Sequence, residues 1–325
     1  MSREQVGGPT PSSGPAAGAA GGDPGEPSSG PTWRTSAQTA LTPAVWGTTY
    51  IVATEFLPEG RPLLAAAVRA LPVGVAFMLV GRRLPVGVWW WRAALLGVLN
   101  IGAFFALLFV AAFRLPGGVA ATAGALQPLV AAGIAAVVLG EAFTRRVAWA
   151  GVAGVAGVAF LVLGPTASLD PVGVAAALAG TVSMATGVVL TKHWGRPVDL
   201  ITFTGWQLTA GGLALVPVVV LAEGAPTDIS PTNVAGFLWL AVVGTGLAYA
   251  NWFRGIQLLQ VNVVSFLGVL SPLVATLAGW IFLDQTLRAP QLVGAALIVG
   301  SVVASQRGGP VRTVARVAVP ETAAL

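Results

Sequence analysis

The chain contains no cysteine. Disulfides, thiolate metal sites and cysteine nucleophiles are therefore excluded, while the redox compartment stays open. Charge is nearly as scarce. Asp, Glu, Lys and Arg make up 9% of the 325 residues, against about 25% in a typical soluble domain. There is one histidine, His193. Paired deep carboxylates, an HExxH pattern and a Ser–base pair are all missing, which argues against an intramembrane enzyme and points to no catalytic residue, metal or cofactor. A GxxxxGK(S/T) phosphate loop is also absent, so the chain does not itself hydrolyse ATP.

What remains is apolar. Hydrophobic residues account for 55% of the chain, and the mean hydropathy is +0.82. A spanning helix needs roughly 20 apolar residues. Ten such stretches stand out: 41–57, 63–81, 93–113, 118–139, 147–164, 172–191, 200–222, 234–253, 261–283 and 290–305. None alternates with the period of 2 that marks a barrel strand. The expected fold is an all-α membrane protein with ten transmembrane helices, in contact with the lipid bilayer. Residues 1–36 and 306–325 are expected to be disordered tails, because Gly, Pro, Ser and Ala without a long apolar run cannot bury enough surface to fold.

The +5 net charge would suit nucleic acid only if the cations were clustered on one face. They lie instead in ones and twos between apolar runs, so they read as topology signals and no nucleic acid is expected. With the N-terminus in the cytoplasm, thirteen cations fall inside: Arg3, Arg34, Arg82, Arg83, Arg92, Arg145, Arg146, Lys192, Arg196, Arg254, Arg307, Arg312 and Arg316. Three fall outside (Arg61, Arg114 and Arg288), and Arg69 lies within a span. This asymmetry predicts a multi-pass membrane protein with both termini cytoplasmic.

The two halves resemble each other. VAATAGALQPLV (119–130) and VVSFLGVLSPLV (263–274) share six of twelve positions, with Pro128 falling on Pro272. WAGVAGVAG (149–157) aligns with LVGAALIVG (292–300), and AVRALPVG (67–74) with GWQLTAGG (205–212), which pairs Arg69 with Gln207. Five spans per half is an odd number, so the second repeat (172–305) enters the membrane upside down relative to the first (41–164). Inverted repeats with a site between them suit alternating access.

AVWGTTYIV (44–52), AAVRAL (66–71), LQPLVAAGIAAVVLGEAFT (126–144), LSPLVATLAGWIFLDQTL (270–287) and QLVGAALIVG (291–300) carry a wider likeness. On these residues the chain resembles the EamA family of the drug/metabolite transporter superfamily over about 40–305. The resemblance implies a ten-helix inner-membrane carrier that exports amino acids or other small metabolites. A flippase for a lipid or lipid-linked sugar is the alternative. One departure stands out: Gly140-Glu141 closes the fourth span, whereas Asp284-Gln285 closes the ninth.

Arg69 is the one charge deep in a span. Placing it there costs about 2.5–3.5 kcal/mol on insertion scales, and no Asp or Glu lies at its depth. It either anchors an anionic part of a substrate, such as a carboxylate, or fixes two helices together. Trp46, Tyr50, Gln127, Gln207, Tyr249 and Asn251 complete the candidate substrate-binding set, because large polar groups are costly when unsatisfied. Pro72, Pro128, Pro217 and Pro272 are expected to interrupt spans, with the matched Pro128 and Pro272 as bends useful for gating. Ala150/Gly154 and Ala153/Gly157 permit close helix contact, either within the chain or across a homodimer. With no deep carboxylate and His193 at a span end, a facilitator or exchanger is expected in place of a proton-coupled pump.

Overall fold

The computed structural model of the protein describes residues 32–58, 60–115, 117–162, 170–224, 229–282 and 288–306. Among them every regular element is a helix. In chain order these are α1 (Thr32–Gly47), α2 (Thr49–Phe56), α3 (Pro62–Gly81), α4 (Trp89–Gly97), α5 (Ala103–Arg114), α6 (Gly117–Gly124), α7 (Gln127–Val138) and α8 (Arg145–Val162). The second half continues with α9 (Pro171–Trp194), α10 (Leu200–Ala222), α11 (Pro231–Leu238), α12 (Ala248–Leu258), α13 (Val261–Gly268), α14 (Leu270–Phe282) and α15 (Ala289–Gln306). Residues 1–31 and 307–325, expected as tails, lie outside the described residues.

Nine helical stretches among the described residues are long and apolar enough to cross a bilayer. Their outward faces carry large apolar side chains such as Val80, Val137 and Leu221, 75%, 88% and 87% exposed. Water would penalise such faces, and lipid does not. The first expected span, 41–57, differs from its prediction. Its helix starts at Thr32, inside the expected tail, and breaks at Thr48 into α1 and α2. Thr48 turns its hydroxyl onto the Val45 carbonyl at 2.7 Å, competing with the backbone ladder at the break.

Two of the four prolines behave otherwise than expected. Helices α3 and α10 run without interruption through Pro72 and Pro217. Pro128 and Pro272 do accompany breaks: α7 restarts at Gln127 and α14 at Leu270. Pro128 sits in the first turn of α7, where its missing N–H leaves no intrahelical bond unmade.

Wide π turns are the feature that the apolar runs did not announce. Val98–Gly102 joins α4 to α5, and Trp239–Leu247 joins α11 to α12. Each receives a helix from the other half at glycines within or just before it. A Cβ at Gly97 would stand 2.5 Å from the Gln207 carbonyl of α10, and one at Gly246 3.1 Å from Val73 of α3. Helices α3 and α10 also pack on each other: a Cβ at Gly212 would stand 2.7 Å from that of Leu71. The small-residue ridge of α8 is used within the chain. A Cβ at Gly157 would lie 2.9 Å from the Gly294 carbonyl of α15.

Polar side chains close the helix ends. Glu223 takes the Leu63 and Leu64 N–H groups at 2.6 and 2.8 Å, capping α3. Glu141 accepts from the Val261 N–H at 3.1 Å, capping α13. Lys192 donates to the Gln257 and Leu259 carbonyls at 2.9 and 2.8 Å, at the end of α12. A negative group at a helix start and a positive one at a helix end both complement the helix dipole.

Candidate substrate-binding cavity

A cavity of about 280 Å³ opens between the two halves. It gathers Trp46 of α1, Arg69 of α3, Phe104 and Phe105 of α5, Gln127 and Pro128 of α7, Tyr249 and Trp252 of α12, Ser265 of α13, and Ser271 and Pro272 of α14. The two helix breaks therefore open onto the same space, because a chain leaving its helical ladder needs room and polar company.

Arg69 is held by the second π turn. Its Nε donates to the Thr245 hydroxyl and its Nη2 to the Gly244 carbonyl, both at 2.8 Å. The Ala248 N–H donates to the Thr245 and Val243 carbonyls and skips Gly244. Trp46 Nε1 also donates to the Gly244 carbonyl, at 3.1 Å. The guanidinium stands 5.2 Å from the centre of the Phe105 ring, close enough for cation–π attraction. Among the described residues no carboxylate lies within ion-pair distance of Arg69.

The wall beside Arg69 is aromatic. Trp46 meets Tyr249 at 5.1 Å and Trp252 at 5.2 Å between ring centres, both tilted. Three polar atoms on lining residues are buried without a hydrogen-bond partner: Gln127 Nε2, Trp252 Nε1 and Ser265 Oγ. Each such atom costs about 1–3 kcal/mol. The site thus combines one cation, two indoles, a phenol and three polar groups in want of partners. Among the described residues its wall holds no Asp, Glu, Lys or His.

Of the candidate residues read from the sequence, Arg69, Trp46, Gln127 and Tyr249 come together here, with Pro128 and Pro272. Gln207 and Asn251 do not line this space. Gln207 is fully buried and accepts from Asn100 Nδ2 at 2.8 Å, which also donates to Thr191 at 3.2 Å. Asn251 faces α1, donating to the Gln38 carbonyl at 2.7 Å and the Thr42 hydroxyl at 3.0 Å. Tyr50 belongs to α2, and its side chain lies outside the described residues. Trp252 escaped the sequence reading. It sits three residues after Tyr249, one turn on along the same helix face, and that spacing was the available signal.

The two halves of the chain, residues 36–163 and 171–305, each match the EamA-like transporter family. Protein PecM of Dickeya dadantii is 48% identical over 266 residues, covering 81% of this chain and 89% of that protein. The uncharacterized inner membrane transporter YedA of Escherichia coli K12 is 29% identical, over 80% of this chain and 86% of its own. A probable amino-acid metabolite efflux pump of Salmonella typhimurium is 28% identical, over 85% and 96%. A solved crystal structure superposes with a TM-score of 0.71 at 19% identity, covering 84% of this chain and 97% of that one, which speaks to the fold alone. This chain is a multi-pass membrane protein and a transporter, not an enzyme, and it belongs to the EamA-like transporter family.

Proposed function

We propose that the chain exports small polar or amphipathic metabolites, amino-acid-like in size and polarity, by alternating access between two inverted five-helix repeats. The observation that carries this reading is the cavity itself: a buried cation, aromatic rings and three unpartnered polar groups lining one space at the junction of both halves. Such a space favours a ligand that brings hydrogen-bond acceptors to one end and an apolar body to the other. Arg69, Trp46, Gln127 and Tyr249 are the proposed contacts, joined by Trp252 and Ser265.

Several relationships support the repeat. Both halves match one family. Both carry a π turn in the third of their spans, and the helix on which each π turn rests comes from the other half. Arg69 and Gln207, paired by the repeat alignment, each hydrogen-bond into the opposite π turn. The breaks beside Pro128 and Pro272 give each half a bend that can open or close the cavity. Cytoplasmic termini are supported by end contacts that gather basic segments on one side. Ser36 donates to Gln306 at 2.6 Å, and Arg254 donates to Gln38 at 2.8 Å.

The test is a ligand-stabilisation screen with amino acids, organic acids, amines and lipid headgroups, run on wild type and Arg69→Gln. A carboxylate that raises the melting temperature of wild type but not of a folded Arg69→Gln assigns the guanidinium to the substrate. Equal shifts leave Arg69 as a helix-joining residue. Accumulation of the hit in inside-out vesicles, and its absence from right-side-out ones, establishes export.

A further inference from the structure

A second concavity, of about 630 Å³, lies at the end of α3. Val75, Met78 and Leu79 form its apolar wall, Thr209 of α10 contributes a hydroxyl, and Arg82 and Arg83 close the end. We propose that this groove is a binding site for one anionic phospholipid, with the headgroup phosphate on Arg82 and Arg83 and an acyl chain along Val75 and Leu79. The proposal is separate from the export reading and stands without it.

Four observations converge. First, both arginines are exposed, and among the described residues neither has a carboxylate within 4 Å. Two unpaired guanidinium groups side by side are a phosphate receptor, since each offers a forked pair of donors.

Second, Arg82 is held in the left-handed conformation at φ 49°, the only non-glycine residue described with positive φ. Glycine is the usual occupant of that helix-ending position. The arginine keeps the helix-closing bond, its N–H donating to the Met78 carbonyl at 2.8 Å, while its side chain is retained at a backbone cost.

Third, the loop is anchored where a headgroup would sit. Trp206 Nε1 donates to the Arg83 carbonyl at 2.8 Å. Nearby, Arg92 lies over Trp89, Trp91 and Trp194 at 5.5, 5.7 and 5.2 Å from the ring centres. Indoles of this kind mark the headgroup level of a bilayer. Fourth, the groove runs from the arginines back along α3. Leu79 is 69% exposed and Val75 41%, on the helix that crosses the apolar layer. A free phosphate needs the arginines alone, whereas a lipid uses both the arginines and this wall. Basic residues at a membrane surface attract anionic lipids in particular.

The experiment measures the melting temperature of the purified full chain in a neutral detergent. Phosphatidylglycerol, phosphatidylcholine or inorganic phosphate is added at matched ionic strength. The variant is Arg82→Gly with Arg83→Gln, in which glycine relaxes the left-handed backbone and keeps the protein folded. The control is Arg145→Gln with Arg146→Gln, which removes the same charge elsewhere. Phosphatidylglycerol is expected to raise the melting temperature of wild type and control by several degrees, and that of the variant by less than half as much. Native mass spectrometry is expected to find one retained phosphatidylglycerol on wild type and control, and none on the variant. Equal shifts from phosphatidylcholine, an equal shift from inorganic phosphate, or a full shift in the variant would each overturn the lipid site.

Discussion

Arg69 and Trp46 donate to one carbonyl oxygen, that of Gly244, at 2.8 and 3.1 Å. A carbonyl has two acceptor lone pairs, so α1 and α3 are both tied to the same turn of the other half. Any movement of that turn is felt by the cation and by the indole beside it, and both belong to the cavity wall.

Removing the guanidinium should therefore cost stability and function together. Arg69→Lys cannot reach the Thr245 hydroxyl and the Gly244 carbonyl with one planar fork, nor stack on Phe105. It should lose roughly the worth of one charged hydrogen bond, about 1.5–3 kcal/mol, in thermal unfolding in detergent, with transport reduced at least tenfold in vesicles. Wild-type stability in Arg69→Lys would show that the two bonds contribute nothing.

Ser265→Ala should behave in the opposite sense: it deletes a buried group without a partner, so the empty protein should hold its melting temperature or gain up to about 2 kcal/mol in stability. Trp252→Phe deletes another such group, but its gain is set against the volume lost from a fully buried ring. Ligand-induced stabilisation should shrink in the same variants. A full ligand shift in both would remove these atoms from the binding site.

The Asn100–Gln207 contact predicts coupling. Asn100, Gln207 and Thr191 are all fully buried, so losing Asn100 strands acceptors that no water reaches. A double-mutant cycle over Asn100→Ala and Gln207→Ala should give an interaction of about 0.5–3 kcal/mol. Strict additivity of the two melting-temperature losses is the result that contradicts it.

Close backbone approach at the first π turn is tested by alanine. Gly97→Ala drives a methyl onto the Gln207 carbonyl, 2.5 Å from where its Cβ would stand. That should cost about 1–3 kcal/mol as overpacking. Gly133→Ala meets nothing within 4 Å and should be neutral or slightly stabilising, since alanine is the better helix former. Similar changes in both would mean that contact with α10 does not set the effect.

Much of the architecture was legible because it is local. Apolar runs long enough to cross a bilayer gave the bounds of α3, α8, α10 and α15 to within a residue or two. Gln127 and Arg69 were visible as costly polar groups in apolar surroundings. The start of α1 at Thr32 was missed because polar residues such as Arg34 and Gln38 dilute the apolar signal there. Gln38 is accounted for by a distant partner, accepting from Arg254. Tyr249 and Asn251 show a limit of a different kind. Two residues apart on a helix, they point about 200° apart, so one faces the cavity and the other α1. Naming both as cavity residues ignored that rotation.

The sequence by itself determined an all-helical membrane protein with a doubled pattern and one deep cation, because transfer of residues into lipid depends on composition and length. Only the tertiary structure decided which face of each helix looks inward. The π turns add a residue to a helical turn, and each added residue swings everything beyond it by about 100°. Glycine contacts between α3, α10 and those turns then fix the rotation. That is why Arg69 reaches the cavity while Gln207, its partner in the repeat alignment, is sealed against Asn100.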